Sequence, residues 1–166
     1  QGKVSDKDVV ESIIQFFSKD VNRRPIFRQE AGYLETIIFT GMEKNPVRAK
    51  FDTGNSTKAS MLHVDKLEVK GKKVFWEKNG YKFEDELLYI SKATRGQESF
   101  DDRPVIEHEI YFNNKHHIAE IALSLKDTAS EMLVNRKLMT KFKVAVNPNR
   151  RFILSNKTDK NDESDH

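Results

Sequence analysis

The sequence predicts a mainly β domain, a small antiparallel barrel or sandwich with one late helix and an extra N-terminal helix. Three observations lead there: many short apolar stretches, turn residues spaced as in hairpins, and only two segments with helical periodicity. At 166 residues the chain has room for one domain with a real core. No internal repeat is visible.

Residues 4–21 place Val10, Ile13, Ile14, Phe17 and Val21 at three- and four-residue spacings, with Ser5 and Asp8 set as an N-terminal capping box. This spacing predicts an amphipathic helix, ended by Asn22-Arg23-Arg24-Pro25, so residues 1–25 form a helical extension. Strands are expected at 33–40 and 47–51 around the hairpin connection 41–46, then at 67–69 and 74–76 around Lys70-Gly71-Lys72-Lys73. Residues 81–91 alternate and lead into a polar stretch ending at Asp102, of the kind that often forms a lid. A further hairpin joins 105–112 to 118–125 through Asn113-Asn114-Lys115, and 132–142 reads as a short strand entering a helix. Strands at 144–146 and 152–154 close the domain, 26–154, around Asn147-Pro148-Asn149. The polar residues 155–166 are expected to be a disordered tail.

Composition excludes several classes. A hydrophobic fraction of 37% with 33% charged residues, and no apolar run of about 18 residues, rules out a membrane-spanning helix. The net charge of +3 is mild and its basic residues are interleaved with acidic ones, so a nucleic-acid partner is not called for. Without cysteine there is no disulfide, thiol catalysis or cysteine zinc site, and either redox compartment suits the chain. It begins at Gln1-Gly2 without Met or a signal-peptide core, as a processed product or a piece of something longer does.

Chemistry is concentrated at Asp52-Thr53-Gly54, which follows directly on an expected strand. Two such loops facing each other across a twofold axis bring two carboxylates to about 3 Å, where both cannot ionise and they share a proton. One then serves as general base toward a water, while the protonated partner hydrogen-bonds a peptide carbonyl and later protonates the leaving amine. Thr53 is suited to fixing the loop across the axis, and Gly54 to backbone angles and close approach that a Cβ blocks. The same stretch, running into Asn55-Ser56-Thr57, also serves as a plain β-turn between strands. On the triplet alone the turn is the simpler account.

The run Ala49-Lys50-Phe51-Asp52-Thr53-Gly54, its polar continuation and Leu62-His63 resemble the active-site segment of the retropepsin-like aspartic peptidases, in the group often labelled ATP-dependent zinc proteases. Arg103-Pro104-Val105 is similar to that family's Arg-Pro-Val strand start. Leu123-Ser124-Leu125 and, further on, Met132-Leu133-Val134-Asn135-Arg136 are similar to its segment opening the late helix. The likeness runs from residue 26 to 154 and implies a retropepsin-like acid-protease barrel. It implies a homodimeric aspartic endopeptidase with one catalytic Asp52 per chain, a flap between the second hairpin and Arg103, and an extended polypeptide as substrate. Asn135 and Arg136 are implied to lie near the active site.

Departures are also legible. Asn135 stands where the family has Gly; Asn is tolerable there because it adopts left-handed backbone angles more readily than most residues, yet it adds a side chain near where the late helix packs under the loop. Asn55-Ser56 replaces the usual Ala-Arg. These departures favour a second reading, a catalytically weak or inactive module of the same fold that binds a peptide or protein. Neither half of the inherited label is supported: His63, His108, His116 and His117 have no zinc-ligand spacing, no glycine-rich phosphate loop is present, and no cofactor is expected. His116-His117 reads as a solvated hairpin tip. The aromatics Phe75, Trp76, Tyr81 and Phe83 suit either a peptide cleft or packing against the barrel, with packing the simpler account. Phe16 and Phe17 read as core contacts of the first helix.

Overall fold

The computed structural model describes residues 6–7, 9–10, 28–92, 102–127 and 129–156. Most of the expected N-terminal helix, including Phe16 and Phe17, lies outside the described residues, as do 157–166.

Six strands close into a barrel: β1 (Gln29–Phe39), β2 (Val47–Phe51), β3 (Ser60–His63), β7 (Arg103–Phe112), β8 (Lys115–Ser124) and β9 (Met132–Val134). Going round, β1 pairs with β2, β2 with β9, β9 with β3, β3 with β8, β8 with β7, and β7 returns to β1 at Ile38↔Tyr111 and Phe39↔Ile110. Pairing is mainly antiparallel, as expected, but within the barrel β2–β9 and β3–β8 are parallel. The short β9 accounts for the first of these. It runs between β2 and β3, which are consecutive strands that leave room for a third between them.

The barrel is filled from alternate positions of its strands, with Ile37, Phe39, Val47, Leu62, Ile106, Ile110, Ile121 and Met132 all buried. Outside it, β10 (Val144–Arg151) pairs with β1 in parallel. The strand expected at 144–146 runs on to Arg151, whereas the one expected at 152–154 is not formed; the register slips between Gly32 and Leu34, and Asn147-Pro148-Asn149 is absorbed there as an irregularity rather than a turn. Pro148 has no N–H to donate, which an edge strand tolerates. On the barrel's other side, β4 (Lys66–Lys70), β5 (Lys73–Lys78) and β6 (Tyr81–Ser91) form an antiparallel extension joined through β6–β7. Trp76 and Phe83 stack at 4.1 Å and join the core, as the packing account expected, while Phe75 faces solvent.

Two buried charges fasten these outer parts. The Glu35 carboxylate is fully buried and accepts bonds from Ile153 N (3.2 Å), Leu154 N (2.9 Å) and Ser155 Oγ (3.0 Å), holding the segment after β10 against β1. Thr36 N donates to Ser155 Oγ (2.6 Å) and Thr36 Oγ1 to the Asn156 carbonyl (2.8 Å), so the chain is tied down as far as Asn156. Lys78, also buried, donates to the His63 carbonyl (2.7 Å) and pairs with Glu131 (3.7 Å), joining the β5 end to the barrel.

Gly32 has a steric reason. A Cβ there meets the Arg150 carbonyl oxygen at 2.7 Å and the Arg151 Cα at 2.8 Å, both backbone atoms of β10. Gly32→Ala is therefore expected to push β10 off β1 and cost about 2 kcal/mol, the scale of overpacking in a tight contact. Thermal melting checks this; an unchanged Tm means that the close approach does not constrain β10.

Candidate active site

Phe51, the last residue of β2, pairs with Val134, the last of β9, so the chain leaves both strands side by side. From β2 it enters the Asp52-Thr53-Gly54 loop, and from β9 it enters α1 (Arg136–Phe142) through Asn135. The barrel thus brings together residues about eighty positions apart. The Asp52 N–H donates to the Val134 carbonyl (3.1 Å), and the Asp52 carbonyl accepts from Asn55 N (3.0 Å). The carboxylate is half-buried, with Oδ1 accepting from Gly54 N at 3.1 Å. Thr53 and Gly54 are exposed.

Arg136 and Asn135 grip the loop from behind. Arg136 Nε donates to the Thr53 carbonyl (2.6 Å), and its backbone N–H donates to the Asn55 carbonyl (2.9 Å). Asn135 is buried and both ends of its amide are bonded. Its Nδ2 donates to the Thr57 carbonyl (2.7 Å); its Oδ1 accepts from Ser60 Oγ and from Leu138 N, both at 3.0 Å. Its own N–H meets Ser60 Oγ at 3.1 Å.

The left-handed backbone expected of Asn135 is not what is found. At φ −85° and ψ 171° it is extended, and its role is that of N-cap for α1. Asparagine is accommodated because its side chain finds three partners, not because of its backbone. Gly54 also differs from expectation. Its φ is not in the left-handed range, and a Cβ there meets only Asp52 Oδ1, at an ordinary 3.4 Å. Among the described residues, nothing within the chain requires glycine at this position.

The second and third motifs converge on the same region. Arg103 opens β7 opposite Ser91 of β6, and its Nη1 lies 3.0 Å from the Met61 sulfur on β3, just past the loop. His63 ends β3, with Nδ1 2.8 Å from the Lys126 carbonyl. The region expected to form a flap, between the second hairpin and Arg103, contains β6; its residues 93–101 lie outside the described residues. His116 is exposed and pairs with Glu109 (3.2 Å), while His117 turns the other way and packs on Phe142, as successive strand residues do. Burial first, and then Lys141, Lys115 and His116, push the His117 imidazole toward neutrality.

Sequence reasoning missed three supports of the loop. Ser60 is buried beneath it, Thr57 supplies the carbonyl for Asn135, and Asn55 Oδ1 accepts from Thr57 N at 3.0 Å. The strand β3 that carries Ser60 was not anticipated either. The available signal was Ser60 immediately before Met61-Leu62, a small polar residue at the start of an apolar run.

The family model RimB-like, described as Retropepsin-like aspartic endopeptidase RimB, matches residues 31–157. Among solved structures, the crystal structure of the Legionella pneumophila protein Lpg0085, of unknown function (DUF785), is similar at a TM-score of 0.61 and 23% identity. That match covers 76% of this chain and 98% of the Legionella chain, and it is a likeness of fold. No curated protein matches. The family model spans the barrel, the Asp52 loop and the helix that grips it, and the chain belongs to the RimB-like family of retropepsin-like aspartic endopeptidases.

Proposed function

We propose that the protein is a homodimeric aspartic endopeptidase in which Asp52 of each chain supplies one carboxylate of a shared-proton dyad. The carrying observation is the construction of the loop: an aspartate at the end of a barrel strand, held from behind by Arg136 and, through Thr57, by Asn135. Its Thr53 and Gly54 face outward. A glycine with no requirement inside its own chain fits a position approached closely from outside, by a second copy or by substrate.

In the dimer the two Asp52 carboxylates lie about 3 Å apart and hold one proton between them. The ionised one takes a proton from water as the oxygen attacks the peptide carbonyl carbon; the protonated one hydrogen-bonds the carbonyl oxygen. Collapse of the tetrahedral intermediate breaks the C–N bond, with the leaving amine protonated by the dyad. The substrate is an extended polypeptide lying across the twofold axis, paired with strand edges. No cofactor takes part in this scheme.

The scheme makes activity a property of the assembly. Specific activity is expected to fall on dilution as the dimer dissociates, and added Asp52→Asn protein is expected to poison the wild type by forming mixed dimers. A peptide-cleavage assay at varied ratios checks both. Activity that is independent of concentration and untouched by the variant excludes a dyad shared between chains. The rival reading, a non-catalytic binding module, predicts no cleavage at any ratio.

A further inference from the structure

Outside the Asp52 loop, His108 is the most completely enclosed histidine among the described residues, with a side chain only 10% exposed. It lies on β7 where that strand changes partner, after pairing with β6 as far as Ile106 and before pairing with β1 from Ile110. Five elements meet there. Phe39 of β1 stacks on the imidazole at 5.7 Å; Trp76 of β5 and Phe83 of β6 approach edge-on at 5.6 and 5.4 Å. Ala119 of β8 is its cross-strand neighbour. The Phe83 ring is itself backed closely by Gly41, where a Cβ meets it at 2.8 Å.

Hydrogen bonding fixes the proton count. Nε2 lies 2.8 Å from the Thr40 backbone carbonyl, which can only accept, so Nε2 carries a hydrogen. Nδ1 lies 3.1 Å from Asp85 Oδ2 on β6, and that oxygen already accepts from Trp76 Nε1 at 2.9 Å. An ionised carboxylate is also an acceptor only. A neutral His108 therefore sets two lone pairs against each other at this distance, and only the imidazolium donates to both partners.

We infer that the His108–Asp85 pair is a protonation-dependent pin, which clamps the β4–β6 extension onto the barrel when His108 is charged and loosens it when His108 is neutral. β6 is the strand that bears the strain, because Asp85 is carried on it and it is also the first arm of the β6–β7 hairpin. The pin stands apart from the proposed catalysis, since no residue of the Asp52 loop takes part in it.

The charges around the imidazole agree in sign. Burial by itself disfavours the imidazolium, but the Asp85 bond, the Thr40 carbonyl and the charges of Asp85 and Glu109 outweigh it and hold His108 above the ordinary 6.5. Burial likewise disfavours the Asp85 carboxylate, yet bonds from His108 and Trp76 and the His108 charge bring it below 3.8. Those two carboxylates, from β6 and from β7 itself, are the charged groups acting on His108; β1, β5 and β8 present Phe39 with the Thr40 carbonyl, Trp76 and Ala119. For the histidine, the raised value means stability fully present below 6.5 and lost as pH rises through the folded value. For the aspartate, the depressed value means stability present above 3.8 and lost as pH falls through its folded value. The pin is closed between them, in the acid range that suits a shared-proton dyad.

The experiment is an NMR titration of the His108 ring combined with amide hydrogen exchange of β5 and β6, corrected for intrinsic exchange, in wild type and Asp85→Asn. In wild type the ring is expected to titrate above the ordinary value, and β5–β6 protection to fall about tenfold per pH unit across the shifted interval. In Asp85→Asn the midpoint drops below the wild-type one and protection no longer follows it. A wild-type midpoint below the ordinary histidine value overturns the pin, as does β5–β6 protection that ignores the titration. Both readings come from wild type alone, so they hold even if the variant does not fold.

Discussion

Asp52→Asn is expected to lower peptide cleavage by about 10³-fold or more, because an amide can neither accept a proton from water nor return one to the leaving amine. The fold is expected to survive. Gly54 N donates to Asp52 Oδ1, and the amide oxygen of asparagine accepts that bond equally well; the backbone bonds to Val134 and Asn55 do not involve the side chain. The informative result is therefore lost cleavage with an unchanged melting temperature. The wild-type rate against pH is expected to be bell-shaped, since activity needs one carboxylate ionised and the other protonated. A variant that cleaves at the wild-type rate takes Asp52 out of the mechanism.

Asn135→Ala is expected to carry the second large effect, on stability and on the loop together. The substitution removes an N-cap and leaves the buried Ser60 Oγ and Leu138 N–H, and the part-buried Thr57 carbonyl, each short of a partner. Loss of the cap costs about 1 kcal/mol, and the stranded groups bring the total to about 3 kcal/mol, a fall in Tm of about 10 °C for a domain this size. Asn135→Ser keeps an oxygen able to cap α1 but is too short to serve Thr57, so it is expected to recover about 1 kcal/mol of that loss. Differential scanning calorimetry on the three proteins is expected to order them wild type, Ser, Ala. Equal melting temperatures for Ala and wild type mean that the buried network does not hold the loop.

These two residues mark how far the sequence was legible. The family and the place of the Asp52 loop after a strand were readable because a strand, an acid, a hydroxyl residue and a glycine form a local pattern, and because two later segments recur in the right order. The β4–β5 and β7–β8 hairpins were readable for the same local reason, from short apolar runs and from turn residues such as Gly71, Asn113 and Asn114, which all sit at positive φ. What failed was non-local. That β9 threads between β2 and β3, parallel to the first and antiparallel to the second, depends on which strands lie together and leaves no mark in any one segment. Asn135 was expected to be backbone-driven because it replaces a glycine; its side-chain partners, Thr57 and Ser60, are 78 and 75 residues away. Glu35, Lys78 and His108 look in sequence like ordinary polar positions of strands. Their burial follows only from what the fold stacks on them: the 152–156 segment, the Glu131 region and the Trp76–Phe83 pair.

If half of a catalytic site lies in each chain, the distance between the two Asp52 carboxylates in a crystal structure of the assembled protein is decisive. A shared-proton dyad predicts a twofold dimer with those carboxylates about 3 Å apart. A dimer that holds them beyond hydrogen-bond reach, or a protein that stays monomeric at crystallisation concentration, contradicts it.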